Sequence, residues 1–264
     1  MNEASDKKRP WAALLDKHPW IVFLLPLLIF MIITSLEPTP QRSGGALGWV
    51  IYYEDYPWIY TAKIALTLLA VGLVAGGYRQ FPPRLSPWAI VVGVAGVVVW
   101  IGLCKLQLEA KLFGPLFDNR LGEMVGLSGM FDAAATRSAY NPLKELAENP
   151  AAAWGFLAVR FVGLALVVPV IEEFFLRGFL MRFVMVRDWW KVPFGEVNTA
   201  AVVLGTVVPM MMHPAELLSA AVWFSMVTWL MVKTRNIWDC VAAHMVTNLL
   251  LGIYVVASGD WYLM

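Results

Sequence analysis

Residues 161–186 read Phe161-Val-Gly-Leu-Ala-Leu-Val-Val-Pro-Val-Ile-Glu-Glu-Phe-Phe-Leu-Arg-Gly-Phe-Leu-Met-Arg-Phe-Val-Met-Val186. The run is apolar at both ends and broken by Glu172-Glu173, Arg177 and Arg182. Neither half, 161–171 or 174–186, reaches the roughly 20 residues that cross the hydrocarbon of a bilayer. Joined, they make one full crossing with two acids near its middle. Six further apolar segments, 20–36, 58–76, 88–104, 199–212, 217–232 and 237–257, are candidate crossings. The expected fold is therefore all-α, a polytopic transmembrane helical bundle of seven helices. It has eight if the long loop or the fourth segment folds back.

Composition agrees. Of 264 residues, 59% are hydrophobic and 15% charged, and the mean hydropathy is +0.65. A soluble domain runs to about 45–50% apolar and about 25% charged, so this chain lacks the polar skin that a water-soluble fold needs. Twenty basic residues against nineteen acidic ones leave a net charge of +1, which offers no field for a polyanion; nucleic acid is not an expected partner. Cys104 and Cys240 both sit beside apolar segments and suggest neither a disulfide framework nor a zinc-cysteine cluster. Thirteen Trp and thirteen Met suit interfacial anchoring and soft packing in lipid.

Charge bias gives an orientation. With the N-terminus cytoplasmic, the inner ends of the segments hold Lys7, Lys8, Arg9, Lys17, Arg79, Arg84, Arg182, Arg187, Lys191, Lys233 and Arg235, eleven of the twenty basic residues. The outer loop 37–57 carries one Arg and three acids. Seven crossings then leave the C-terminus outside, in a multi-pass protein of the plasma membrane if the host is bacterial. No small-residue cleavage site follows segment 20–36, so it is read as a retained helix instead of a signal peptide. The expected divisions are a cytoplasmic tail (1–19), N-terminal helices with a polar loop (20–150), a helical core (151–257) and a short C-terminal tail (258–264). Within the polar stretch 105–150, residues 143–147 look like a short interfacial helix.

Ionisable groups at mid-membrane cost about 2.5–3.5 kcal/mol each on insertion scales, which makes them functional candidates. Glu173 and Arg177 are four apart, share a helix face and can pair. Glu172 lies about 100° round the helix with no such partner. A structural ion pair accounts for Glu173 and Arg177 but not for the second acid, which can take and return a proton. His244 and Asn248 are also four apart and offer donors suited to a developing oxyanion, although alone they read more simply as interhelical glue. His213, between Pro209 and Pro214, reads by itself as a loop residue. Arg160, near the outer end of its segment, is expected to snorkel. Asn236 and Asp239 suit an N-cap and a first-turn acid of the last helix.

Taken in order, Glu172-Glu173-x-x-x-Arg177, then His213 before a proline turn, then His244-x-x-x-Asn248 resembles the CAAX-processing and bacteriocin-processing (CPBP) intramembrane endopeptidases, whose best-known members are type II CAAX prenyl endopeptidases. The resemblance covers about 152–252, so the core 151–257 becomes the catalytic part. It implies that Glu172 activates water with His213 assisting, that His244 and Asn248 hold the oxyanion, and that Glu173 and Arg177 buttress the site. It further implies eight transmembrane helices around a cavity open to lipid and cytosol, with no cofactor required. Zinc remains an alternative, since two His and one Glu form an acceptable catalytic ligand set. The substrate implied is a membrane-associated peptide or protein. One departure is Pro209, where the family usually has Phe four residues before the histidine. If the helix 199–212 tilts or unwinds at Pro209, His213 becomes the buried tip of a shallow hairpin.

Other membrane-protease signatures fail. There is no His-Glu-x-x-His and no Gly-x-Gly-Asp, and Gly126-Leu-Ser128-Gly129 matches a rhomboid serine motif only within a polar loop. The alternative function is a non-enzymatic membrane scaffold or immunity protein of the same fold, in which the glutamates only stabilise the bundle. A proton-coupled transporter lacks the internal repeat that many transporter folds carry.

Overall fold

The structure, a computed structural model, describes residues 10–39, 43–46, 48–125 and 140–263. The Gly126–Gly129 stretch and the basic residues Lys7, Lys8 and Arg9 lie outside them. Among the described residues the main elements are helices, in the order α1 (Pro10–Lys17), α2 (Ile21–Thr34), α3 (Tyr56–Tyr78), α4 (Pro87–Leu106), α5 (Leu108–Phe117), α6 (Arg120–Val125), α7 (Pro142–Glu145), α8 (Pro150–Phe183), α9 (Thr199–Met212), α10 (Leu217–Thr234) and α11 (Ile237–Ser258). Helices α3, α4, α8, α10 and α11 are long and apolar enough to cross a membrane, while α2 and α9 are shorter apolar helices. These seven coincide with the seven apolar segments of the sequence. The chain is an integral membrane protein built as a helical bundle.

The polar stretch 105–150 holds more structure than one interfacial helix, because α5 and α6 precede α7. The Glu109 carboxylate on α5 accepts from the Leu218 backbone N–H at 2.8 Å and so caps α10. Arg160 does not snorkel: it is buried, and Nη1 donates to the Tyr140 carbonyl at 2.6 Å, so a peptide oxygen takes up the guanidinium inside the protein.

The α8 helix begins with Pro150 in its first turn and with the Asn149 side chain accepting from Ala152 N–H at 3.1 Å. At 1.5 Å per residue its 34 residues reach about 50 Å, longer than a bilayer core. Two wider, π-type turns interrupt it, Gly163–Val167 and Phe174–Leu180, and the six residues between them end in Glu172-Glu173. Pro169 explains the first of these. It has no N–H to give, and a wide turn spreads the backbone around its ring.

The start of α11 is pinned to the start of α4. Asp239 is buried and accepts from Ser86 N–H at 2.7 Å and from Ser86 Oγ at 2.9 Å, so this first-turn acid serves as an interhelical clamp. Asn236 caps α11 by accepting from Trp238 N–H. Further along, Thr247 Oγ1 donates to the Gly93 carbonyl at 2.8 Å, a close approach that α4 permits because glycine stands there.

Candidate active site

A cavity of about 360 Å³ lies between α2, α4, α8, α10 and α11, within the roughly 300–1,000 Å³ usual for ligand pockets. Glu172, His213, His244 and Asn248 all line it. Residues from three separate parts of the chain are thus brought to one space. Glu173 and Arg177 stand behind it, both fully buried.

The two acids are treated differently. Glu173 Oε1 and Oε2 lie 3.1 and 3.0 Å from Arg177 Nη1, and Oε1 also accepts from His244 Nδ1 at 2.9 Å. Arg177 Nη2 extends the network to the Phe224 carbonyl at 3.2 Å on α10. Glu173 therefore joins α8 to α11, and Arg177 joins α8 to α10. Among the described residues the Glu172 carboxylate has no hydrogen-bond or ion-pair partner, and it faces the cavity.

The Asn248 amide and the His213 imidazole are positioned by backbone carbonyls next to prolines, and the His244 imidazole by Glu173. In a π-type turn the N–H of residue 169 would bond the carbonyl of residue 164, but residue 169 is proline. Asn248 Nδ2 donates to that Leu164 carbonyl at 2.9 Å instead, which fixes its carboxamide and leaves a second N–H to donate. His213 ends α9, and its Nδ1 donates to the Pro209 carbonyl at 2.8 Å. A neutral His213 ring so held carries its lone pair on Nε2. Helix α9 runs unbroken through Pro209 to Met212, so no unwinding is needed to bring His213 to the cavity; the turn at Pro214 does it. His244, with Nδ1 committed to Glu173, has Nε2 as its second nitrogen for a substrate.

Aromatic walls that the sequence did not single out complete the site. Trp100 and Phe224 flank His213 with ring centroids 5.6 and 5.9 Å away, and Trp223 and Phe224 flank His244 at 5.8 and 6.3 Å. Their spacing in sequence carries no signal, since any membrane helix bears such rings. Leu263, in a short turn after α11, also lines the cavity. Cys104 and Cys240 are both buried, and neither forms a disulfide.

Among the described residues, no three His, Cys, Asp or Glu side chains converge as a metal-ligand set. Both histidines spend Nδ1 on an oxygen of the protein, and Glu173 is taken up by Arg177. No solved structure matches the chain. Residues 154–250, which carry all six of the candidate residues, match the family model described as type II CAAX prenyl endopeptidase Rce1-like, so this stretch of the chain is similar to that family.

Proposed function

We propose that this protein is a glutamate-dependent intramembrane endopeptidase that hydrolyses a peptide bond of a membrane-associated peptide or protein. The observation that carries the reading is the Glu172 carboxylate, without a protein partner among the described residues, facing the same cavity as His244 and Asn248.

Glu172 takes a proton from a water molecule as its oxygen attacks the scissile carbonyl, and returns that proton to the departing amine. His213, fixed by the Pro209 carbonyl, orients the water or shares the proton through Nε2. The oxyanion of the tetrahedral intermediate accepts from the second Asn248 N–H and from His244 Nε2. An Nε2 donor requires the doubly protonated ring, and the Glu173 carboxylate on Nδ1 is its counter-charge. Arg177 balances Glu173, so two acids and two cations share the site. With the N-terminus cytoplasmic, the substrate is drawn from the bilayer. No metal or other cofactor takes part in this reading.

The test is to reconstitute the protein in liposomes with a set of lipid-anchored and membrane-inserted peptides and to identify new termini by mass spectrometry. Cleavage by the wild type that is lost in H244A and reduced in H213A supports the reading. Equal peptide profiles for liposomes with and without the protein, across the whole set, would favour the non-enzymatic scaffold.

A further inference from the structure

A second cavity, of about 420 Å³, lies at the end of the bundle where α3 and α10 finish and α4 and α11 begin. Arg84, Arg182, Lys191 and Arg235 line it, and no Asp or Glu does. Among the described residues only Lys191 of these four has an ion-pair partner, Asp188 at 2.7 Å. Arg182 is only 5% exposed, and its Nε, Nη1 and Nη2 donate to the carbonyls of Val192, Gly178 and Trp190, each at 3.0 Å. Those bonds aim the guanidinium and use three of its five N–H groups, but no carboxylate balances its charge.

Both other arginines are anchored at the backbone. Asn236 Nδ2 donates to the Arg84 carbonyl at 2.6 Å, and Arg235 adopts a left-handed conformation (φ 49°) at the end of α10. Gly195 lies against the stem of Arg235, where an added Cβ would come within 2.7 Å of Arg235 Cγ. A cavity lined by four cations and no acid is poised for an anion, and arginines favour the paired oxygens of phosphate. The cavity also has apolar walls, Phe81 and Phe194. Nearby, Lys233 sits over Trp88 and Trp229, with Nζ 4.4 and 5.2 Å from the ring centroids, the pattern of a membrane-interface belt.

We propose that this cavity binds the phosphate of an anionic phospholipid headgroup at the membrane surface. The charge supplies the affinity, and the level of the cavity at the helix ends supplies the source, because a headgroup reaches it with its chains still in the bilayer. This site is separate from the cavity of Glu172 and does not depend on what that cavity does.

The test uses full-length protein in neutral detergent with added phosphatidylglycerol, phosphatidylcholine or inorganic phosphate, read by native mass spectrometry and thermal denaturation. Phosphatidylglycerol is expected to be retained at least threefold more than phosphatidylcholine and to raise Tm. R84Q/R235N removes two charges, with Asn chosen because it tolerates the left-handed backbone; it should abolish that preference. K111Q/K144Q removes two exposed charges at the other end of the bundle and should keep it. Equal retention of both lipids, or loss of the preference in K111Q/K144Q as well, overturns the proposal. Inorganic phosphate that raises Tm as much as phosphatidylglycerol overturns the lipid source and assigns the cavity to a soluble phosphate.

Discussion

Oε1 of Glu173 accepts from His244 Nδ1 at 2.9 Å and from Arg177 Nη1 at 3.1 Å, so one carboxylate oxygen serves a histidine 71 residues away and an arginine on its own helix. Glu173 is thereby a fixed anion between two donors. Its neighbour Glu172 is left to the cavity, and one residue's rotation about α8 separates the two roles.

Removing that anion is expected to damage the fold before the chemistry. Glu173→Gln leaves Arg177 charged and fully buried without its counter-ion, a change that typically costs about 3–5 kcal/mol. E173Q should unfold at lower temperature in detergent, and E173Q/R177M should recover much of the loss. If E173Q has wild-type Tm, the ion pair is not what holds α8 in place.

Asn248 separates stability from rate. Its bond to the Leu164 carbonyl is of a kind worth about 0.6 kcal/mol in membrane helices, whereas one oxyanion donor is worth about 10²–10³ in kcat. Asn248→Ala is expected to lower kcat by that factor with Tm nearly unchanged. A large fall in Tm with an unaltered rate per folded molecule would make Asn248 interhelical glue.

Gly96 shapes the cavity wall. A Cβ at this position would run into the Trp223 ring, which packs beside His244. Gly96→Val should cost about 1–3 kcal/mol by overpacking and should slow cleavage by shifting Trp223. Paired Tm and rate measurements on the variant check both effects.

The turn that brings Leu263 to the cavity is held by Asp260, which accepts from the Tyr254 hydroxyl at 2.8 Å and lies 3.5 Å from Lys105 Nζ. The Tyr254 hydroxyl, with Lys105 adding to it, holds the Asp260 carboxyl below its ordinary range. A depressed carboxylate stabilises the fold above the unfolded value of about 3.9 and loses that contribution as acid protonates it. D260N should therefore lower Tm slightly at pH 7 and converge with the wild type in strong acid. A Tm gap independent of pH would contradict this.

The seven apolar segments were legible because a bilayer demands long hydrophobic runs, and periodicity hardly enters into it. The candidate residues were legible for the opposite reason: Glu172, Glu173, Arg177 and Asn248 are costly there. What the sequence withheld was partnership. The His244–Glu173 bond joins residues 71 apart, and the Asn248–Leu164 bond depends on a wide turn before Pro169 that no hydrophobic pattern encodes. Arg160 was misread because its partner, the Tyr140 carbonyl, is a backbone atom and leaves no mark in the sequence.

The central claim is that Glu172 is the base that activates water. The most direct measurement is cleavage of one identified membrane peptide by Glu172→Gln and Glu172→Ala, each at matched amounts of folded protein. The account predicts that both lose cleavage while Tm stays close to wild type, because the carboxylate has no hydrogen-bond or ion-pair partner among the described residues to lose. Near-wild-type turnover by Glu172→Gln, which keeps the shape and cannot accept the proton, would contradict it.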